Sequence, residues 1–367
     1  MGEAILKQMN QISKTILPNN GRYWYQSNVT SGYFYCFYSA DSIIVAGCNA
    51  GLYYSTDGKV WSQTNISSGN FKIIIFDNET WVAGGYDGIY YSINGKIWEQ
   101  SNITSSITSL HYANGVWAAS GNSNTYYSTN GENWIASNIS TQLYSISCKN
   151  GIWVAGTYNS GLYYSTNGQV WEQSNITSGN FSSVYCENGV WLTSSANSSN
   201  KVGVYYSLDG QNWTQSNVTE NYNYEFKYAD GVWVTGGASG GYLYSTDGVT
   251  WTQSNIMSGY QPIRYGSGVW VGRDHYSLDG RTWYSSNSNG LYLSCKEYGN
   301  GGFVGGTTNG TTGSGIYYSK DGIIWSQTNL RTGQFTKFTY MKNGIWIAAS
   351  TSSSAGLYYS TPLLEEV

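Results

Sequence analysis

The sequence predicts an all-β fold: a β-propeller of nine four-stranded blades, closed by the N-terminal strand completing the last blade. Three observations carry this expectation. A tryptophan-led phrase, W-x-Q-S-N in its commonest form, starts at Trp24, Trp61, Trp98, Trp134, Trp171, Trp213, Trp251, Trp283 and Trp325. Every phrase is accompanied by the same short aromatic and β-branched segments, and such a period marks a repeat architecture. The two ends of the chain are complementary. The first unit opens at Trp24 with no Tyr-Tyr-Ser segment before it, and the last stops at Tyr359-Ser360 with no tryptophan after it.

The phrase itself reads as strand d, and strands a, b and c of the next unit follow. Strand a resembles FSSVYCE at 181–187 and alternates with a period of two. An Asn-Gly or Asp-Gly turn usually comes next, as at Asn114-Gly115, Asn150-Gly151, Asn188-Gly189, Asp230-Gly231 and Asn343-Gly344. This dipeptide favours a type I′ hairpin, because both central residues take positive φ. Strand b resembles WVAGG and strand c GLYYS, compositions suited to pleated, half-buried positions. Four such short strands cannot bury both faces of their sheet alone. Stacking the sheets around an axis solves this. Closing the ring also removes the exposed edges of an open solenoid, the alternative that the complementary ends argue against.

Composition excludes several classes. Charged residues are 10% of the 367 and aromatics 17%, the reverse of a disordered chain. A net charge of −4 offers no basic surface to a phosphate backbone, so no nucleic acid is expected. No apolar run approaches the roughly 18 residues of a membrane-spanning helix. Cys36, Cys48, Cys148, Cys186 and Cys295 are odd in number and lack metal spacing. They read as small buried hydrophobes, and neither metal nor cofactor is called for.

Between strand c and the next tryptophan stands Ser-x-Asp/Asn-Gly-x-x-Trp, at 55–61, 92–98, 128–134, 165–171, 207–213, 245–251, 277–283 and 319–325. These eight copies resemble the Asp-box, or BNR repeat, of the sialidase-type propellers, and the resemblance covers residues 21–362. In that family the box is the hairpin between the third and fourth strands of a blade. The acidic position is Asp57, Asp209, Asp247, Asp279 and Asp321, but Asn94, Asn130 and Asn167. Both side chains can accept hydrogen bonds from turn N–H groups, and only Asp can act as a base. The interchange therefore points to turn capping.

In a meandering blade the a–b and c–d turns share one face, and the b–c and d–a connections share the other. The first face hardly varies among the copies. The b–c connections vary in length and content, at 86–88, 121–125, 158–161, 194–203, 238–241, 273–274, 307–315 and 351–356. Variation confined to one face marks a binding face, the alternative being plain solvated loops. Candidate ligand contacts there are Tyr33, Tyr86, Asp87, Tyr158, Asn159, Asn197, Tyr222, Tyr260, Arg273, Asp274 and Arg331. Such a tyrosine- and amide-rich surface binds by aromatic area and adaptable hydrogen bonds, which suits a glycan or a surface receptor.

The resemblance also raises catalysis. A sialidase would need three convergent arginines, a Tyr–Glu pair and an acid. Arg22 and Arg281 belong to strand d or its hairpin, which leaves Arg264, Arg273 and Arg331, and the order Pro262-Ile263-Arg264 departs from the family's Phe-Arg-Ile-Pro. A glycan hydrolase would need two facing carboxylates, with Asp87, Glu220, Glu225 and Asp274 as candidates. No catalytic set emerges, and His111 and His275 read as structural. A non-enzymatic binding module is the main expectation, with an Asp-box hydrolase or a purely structural scaffold as alternatives.

Residues 1–20 differ in kind. Ile5, Met9, Ile12 and Ile16 make a helical seam that Pro18 ends. A helix this short needs a partner, so residues 5–16 are expected to self-associate, dock on a larger assembly or pack back on the propeller. No basic, apolar secretion signal opens the chain. This short anchor beside a Gly/Ser/Asn/Tyr-rich β-domain resembles phage tail and fibre components in style. It implies a virion or extracellular setting, with the cytoplasm as the alternative. The division expected is therefore anchor 1–20, propeller 21–362 and tail 363–367.

Overall fold

A computed structural model describes residues 21–360, apart from 41, 123, 196–202, 220–224, 238–240, 258–262, 289–290, 292, 308–313 and 351–355. The helical reading of 1–20 lies outside the described residues, as do Asn197, Glu220, Tyr222 and Tyr260.

The described residues form nine four-stranded antiparallel sheets. Blade 1 is a Phe34–Ala40, b Ile43–Cys48, c Gly51–Ser55 and d Ser62–Gln63. Blades 2 to 8 repeat this order along the chain. Blade 7 is the smallest, with Arg264–Gly266, Val269–Val271, His275–Ser277 and Tyr284–Ser285. Blade 9 takes Phe335–Tyr340, Trp346–Ser350 and Leu357–Ser360 from the end of the chain and Trp24–Gln26 from its start. That closing pair is antiparallel, with Trp24 opposite Ser360, Tyr25 opposite Tyr359 and Gln26 opposite Tyr358.

Apolar packing runs between blades. Every residue of Thr80–Gly85, a b strand, is buried, because neighbouring sheets cover both of its faces. This explains a strand b that reads as a continuous run of small and apolar residues. The seam is packed like any other joint. Trp24, Phe335 and Trp346 of blade 9 meet Val304 and Ile316 of blade 8, and Ile347 and Leu357 meet Phe34 and Trp61 of blade 1.

Two features depart from the sequence reading. The a–b turns at Asn114-Gly115, Asn150-Gly151, Asn188-Gly189 and Asp230-Gly231 have positive φ at both residues, as type I′ requires. Asn343-Gly344 does not, since only Gly344 has positive φ there. Blade 9 instead turns through Met341–Gly344, closed by the Gly344 N–H on the Met341 carbonyl at 3.0 Å. The repeat also contains a ninth hairpin that eight sequence copies did not reveal. Gly21 has φ +78°, within a few degrees of the +69° to +78° of the other hairpin glycines. Trp24 Nε1 donates to the Gly21 carbonyl at 2.6 Å, as Trp61 Nε1 does to Gly58 at 3.2 Å. This hairpin is split: its serine position is Ser360, at the far end of the chain.

Candidate functional site

The b–c loops and d–a connections form one continuous face because they bond to each other. Gly51 N–H donates to Gly69 O at 3.3 Å, Tyr86 N–H to Asn70 O at 3.2 Å, and Gly161 N–H to Gly179 O at 3.3 Å. The hairpins occupy the opposite face, where Gly58 packs on Met341, Ile345 and Ile347 at the a–b end of the preceding blade.

A bulge in strand a shapes the loop face. The a–b register slips between Phe34 and Cys36, Phe71 and Ile73, Ile107 and Ser109, and Leu143 and Ser145. The extra residue is left unpaired at the loop end of the strand. Here it is Tyr35, Lys72, Thr108 or Tyr144. In blades 2 and 4 it meets the b–c loop of its own blade. Lys72 Nζ lies 4.4 Å from the Tyr86 ring centroid and donates to its hydroxyl at 2.8 Å. The Tyr144 and Tyr158 rings are 5.8 Å apart at 42°. Tyr35 donates to Asn70 Oδ1 at 3.2 Å. Tyr33 is held by a two-way bond with Asn49: its N–H donates to Asn49 Oδ1 at 2.9 Å, and its carbonyl accepts the Asn49 N–H at 3.1 Å.

Blades 2 and 4 thus present aromatic rings packed on a neighbour, blade 1 adds Tyr33 with its backbone fixed, and all stay open to solvent. Tyr33 is 44%, Tyr86 51%, Tyr144 41% and Tyr158 54% exposed. Asp87 and Asn159 are exposed beside them, and the Asp87 carbonyl accepts Gln100 Nε2 at 2.9 Å. Sequence reading missed Tyr35, Lys72 and Tyr144. They lie in strand a, whose regular alternation gives no sign of a bulge.

Arg273 and Asp274 lie on the same face in a short b–c loop, and that loop is tied down. The fully buried Lys296 donates to the carbonyls of Gly272 at 2.6 Å and Arg273 at 2.7 Å. The Arg273 N–H donates to the buried Tyr242 hydroxyl at 3.0 Å, and Asp274 Oδ1 lies 2.6 Å from His275 Nδ1. Burial raises the Tyr242 hydroxyl well above its ordinary value, so it stays protonated. Arg331 is exposed and lies elsewhere, on the rim between blades 8 and 9.

The other titratable groups are committed to structure. Arg264 bridges two carboxylates, Glu225 at 2.9 Å and Glu297 at 3.4 Å. Neither Glu225 nor Asp274 therefore stands as an unattached acid. His111 packs edge-on against Trp153 at 5.5 Å, and burial lowers its pKa. Cys36, Cys48, Cys148 and Cys186 are free thiols. Burial pushes Cys36 up to about 12 and the other three to about 11, which keeps them protonated. Among the described residues, no cluster of His, Cys, Asp and Glu could hold a metal ion.

No protein-family model matches the chain, and no curated protein matches it in sequence. Solved structures do match in shape. The computationally designed Ika8 protein has a TM-score of 0.60 at 10% identity, over 93% of this chain and 99% of that one. BamB from Moraxella catarrhalis has 0.54 at 8% identity, over 80% and 95%. YCF48 bound to a D1 peptide has 0.46 at 18% identity, over 72% and 94%. Identities this low speak to the fold alone. The chain is a nine-bladed β-propeller. Among the described residues no helix is long and apolar enough to cross a membrane.

Proposed function

We propose that the protein is a non-enzymatic recognition module that binds a glycan or cell-surface receptor through its loop face. The observation that carries this reading is the group of half-exposed tyrosines, Tyr33, Tyr86, Tyr144 and Tyr158, set among amide and hydroxyl side chains. The Tyr86, Tyr144 and Tyr158 rings each rest against a neighbouring side chain, so little of their side-chain entropy is lost on binding. Tyrosine supplies flat apolar area with a polar tip, which suits the C–H faces and hydroxyls of a sugar. The Asp-box resemblance fits this role, because its acidic position serves the turn and leaves recognition to the opposite face. Exposed aliphatics on the hairpins, such as Ile93, Leu208 and Leu278, lie on separate blades, and singly placed apolar residues are ordinary on a surface. The sequence further suggests mounting on a phage-like particle or another assembly through residues 5–16.

A glycan array with the purified protein tests the reading. Binding that is lost in Tyr86→Ala or Tyr158→Ala, with the unfolding midpoint unchanged, supports it. A folded protein that binds no glycan and no cell surface leaves a scaffold. Light scattering of the full chain against one lacking residues 1–16 tests the mounting segment, which predicts a larger species only for the full chain.

A further inference from the structure

We propose that the closing seam carries a second site, an anion-binding groove for the carboxylate or sulfate of an acidic saccharide. It stands apart from the tyrosine face and does not rest on it. The groove lies on the outer rim where strand d of blade 8 meets the hairpin entering blade 9, and its volume is about 440 Å³. Arg22, Tyr23, Tyr318, Ser326 and Arg331 line it. The Arg22 guanidinium lies 4.8 Å from the Tyr318 ring centroid and its Nε donates to the Tyr318 hydroxyl. Neither Arg22 nor Arg331 meets a carboxylate among the described residues.

The fold does not demand this arrangement, as its own repeats show. Two positions matter: the residue after the hairpin glycine, and the residue two past the asparagine of the preceding strand d. At the seam they are Arg22 and Arg331. At the other eight joints the pairs read Lys–Thr, Lys–Ser, Glu–Thr, Gln–Ser, Gln–Thr, Val–Thr, Arg–Met and Ile–Asn. Only the seam pairs two cations. A third position carries no counter-charge at the seam, as at most joints. In blades 2 and 4 the outer tyrosine of strand c donates to a glutamate on strand d, Tyr91 to Glu99 at 2.8 Å and Tyr164 to Glu172 at 2.6 Å. In blade 8 the residue opposite Tyr318 is Ser326. Two guanidiniums therefore face solvent together in a chain of net charge −4.

Arginine forks match carboxylate and sulfate oxygens in pairs. The exposed face of Tyr23, which is 44% accessible, and the Ser326 hydroxyl add what a sugar ring needs and a bare inorganic anion does not. The volume suits one or two sugar units.

Calorimetric titration tests the site with four probes: trigalacturonate, a sulfated disaccharide, neutral maltotriose and hexaglutamate. The proposal expects binding of one or both acidic sugars, weakening as salt rises, and none of maltotriose. Arg331→Thr imports the residue that other joints carry, so the fold should persist. It should weaken binding at least about tenfold, the size of one lost charge-assisted hydrogen bond. Arg331→Gln serves as a second variant if the first unfolds early. Tyr86→Ala should leave this binding unchanged, which separates this groove from the tyrosine face. Whichever acidic sugar binds tighter identifies the anion. Equal binding of maltotriose, insensitivity to both Arg331 variants, hexaglutamate binding as tightly as the sugars, or no binding by folded protein would each overturn the proposal.

Discussion

Two side chains in each repeat look interchangeable and are not. The hairpin Asp or Asn serves its turn as an acceptor. Asp57 Oδ1 takes the N–H groups of Lys59 at 2.8 Å and Val60 at 2.9 Å, and Asn94 Oδ1 takes those of Lys96 and Ile97 at 2.9 Å. The asparagine that ends W-x-Q-S-N both accepts and donates across a blade joint. Asn65 Oδ1 accepts the Trp98 N–H at 2.8 Å while its Nδ2 donates to the Trp98 carbonyl at 2.8 Å. The same clasp joins Asn28 to Trp61, Asn102 to Trp134, Asn175 to Trp213 and, at the seam, Asn329 to Trp24. An acceptor can be Asp or Asn; a clasp can only be Asn, and Asn stands there in all nine repeats. Asp57→Asn should therefore shift unfolding by under about 0.5 kcal/mol. Asn102→Asp leaves the Trp134 carbonyl without its donor and should cost about 1–3 kcal/mol in urea unfolding. The turn capping was legible because the sequence itself swaps Asp and Asn. The clasp was not, because its partner is a backbone group one repeat away.

The hairpin carboxylates also set an acid limit. Partial burial alone would raise Asp57, Asp209, Asp279 and Asp321. Hydrogen bonds from the turn N–H groups and the hairpin serine, led at Asp209 by the Asn212 side-chain amide, outweigh it and bring all four below the usual range, Asp209 to about 2. For Asp247 the Thr250 N–H is the largest influence, in the same direction. Groups depressed in the folded state stabilise it above the unfolded value near 3.9 and lose that contribution as pH falls through the folded one. Stability should therefore drop between about pH 4 and pH 2. The urea midpoint of a variant carrying Asn at these five positions should fall less over that window. An equal fall would contradict the assignment.

At the scale of elements, the glycines separate two kinds of strain. Gly88 has φ +111°, and a Cβ there would collide with the Ile103 carbonyl of the d–a connection. Gly115 has φ +79°, and nothing lies within 4 Å of its missing Cβ. Gly115→Ala should cost about 1–2 kcal/mol from backbone conformation alone, and Gly88→Ala distinctly more. Blade 2 offers the reverse case. Its a–b turn carries Glu79 at φ +58°, where most blades have glycine. Glu79→Gly should raise stability by about 1 kcal/mol in thermal or urea unfolding. Strand number, order and the a–b turns could be read from tryptophan spacing and Asn-Gly pairs. The bulges could not, because an extra residue in a polar, aromatic strand leaves its alternation looking regular. That hid Tyr35 and Tyr144, together with Lys72.

At the scale of the molecule, the ring is held shut by groups 305 positions apart in the chain. Three kinds of bond cross the seam: the antiparallel pairing of Trp24–Gln26 with Leu357–Ser360, the Asn329–Trp24 clasp and apolar packing on both sides. Complementary ends announced the pairing. They did not announce the split hairpin, because the Ser360 half and the Gly21 half never stand together in the sequence. Nor did they announce the groove, since Arg22 and Arg331 were assigned to different faces and meet only on the rim between them.

Ring closure is tested most directly by a cross-link at the seam. Tyr25 and Tyr359 are opposite each other, with ring centroids 5.7 Å apart, and directly paired antiparallel residues lie within reach of a disulfide. The double variant Tyr25→Cys/Tyr359→Cys, oxidised and run on a non-reducing gel beside each single variant, should give a fast-migrating intramolecular species that the singles lack. Its unfolding midpoint should exceed that of the reduced form. A double variant that stays uncrosslinked, or that links only between molecules, would contradict the closed ring.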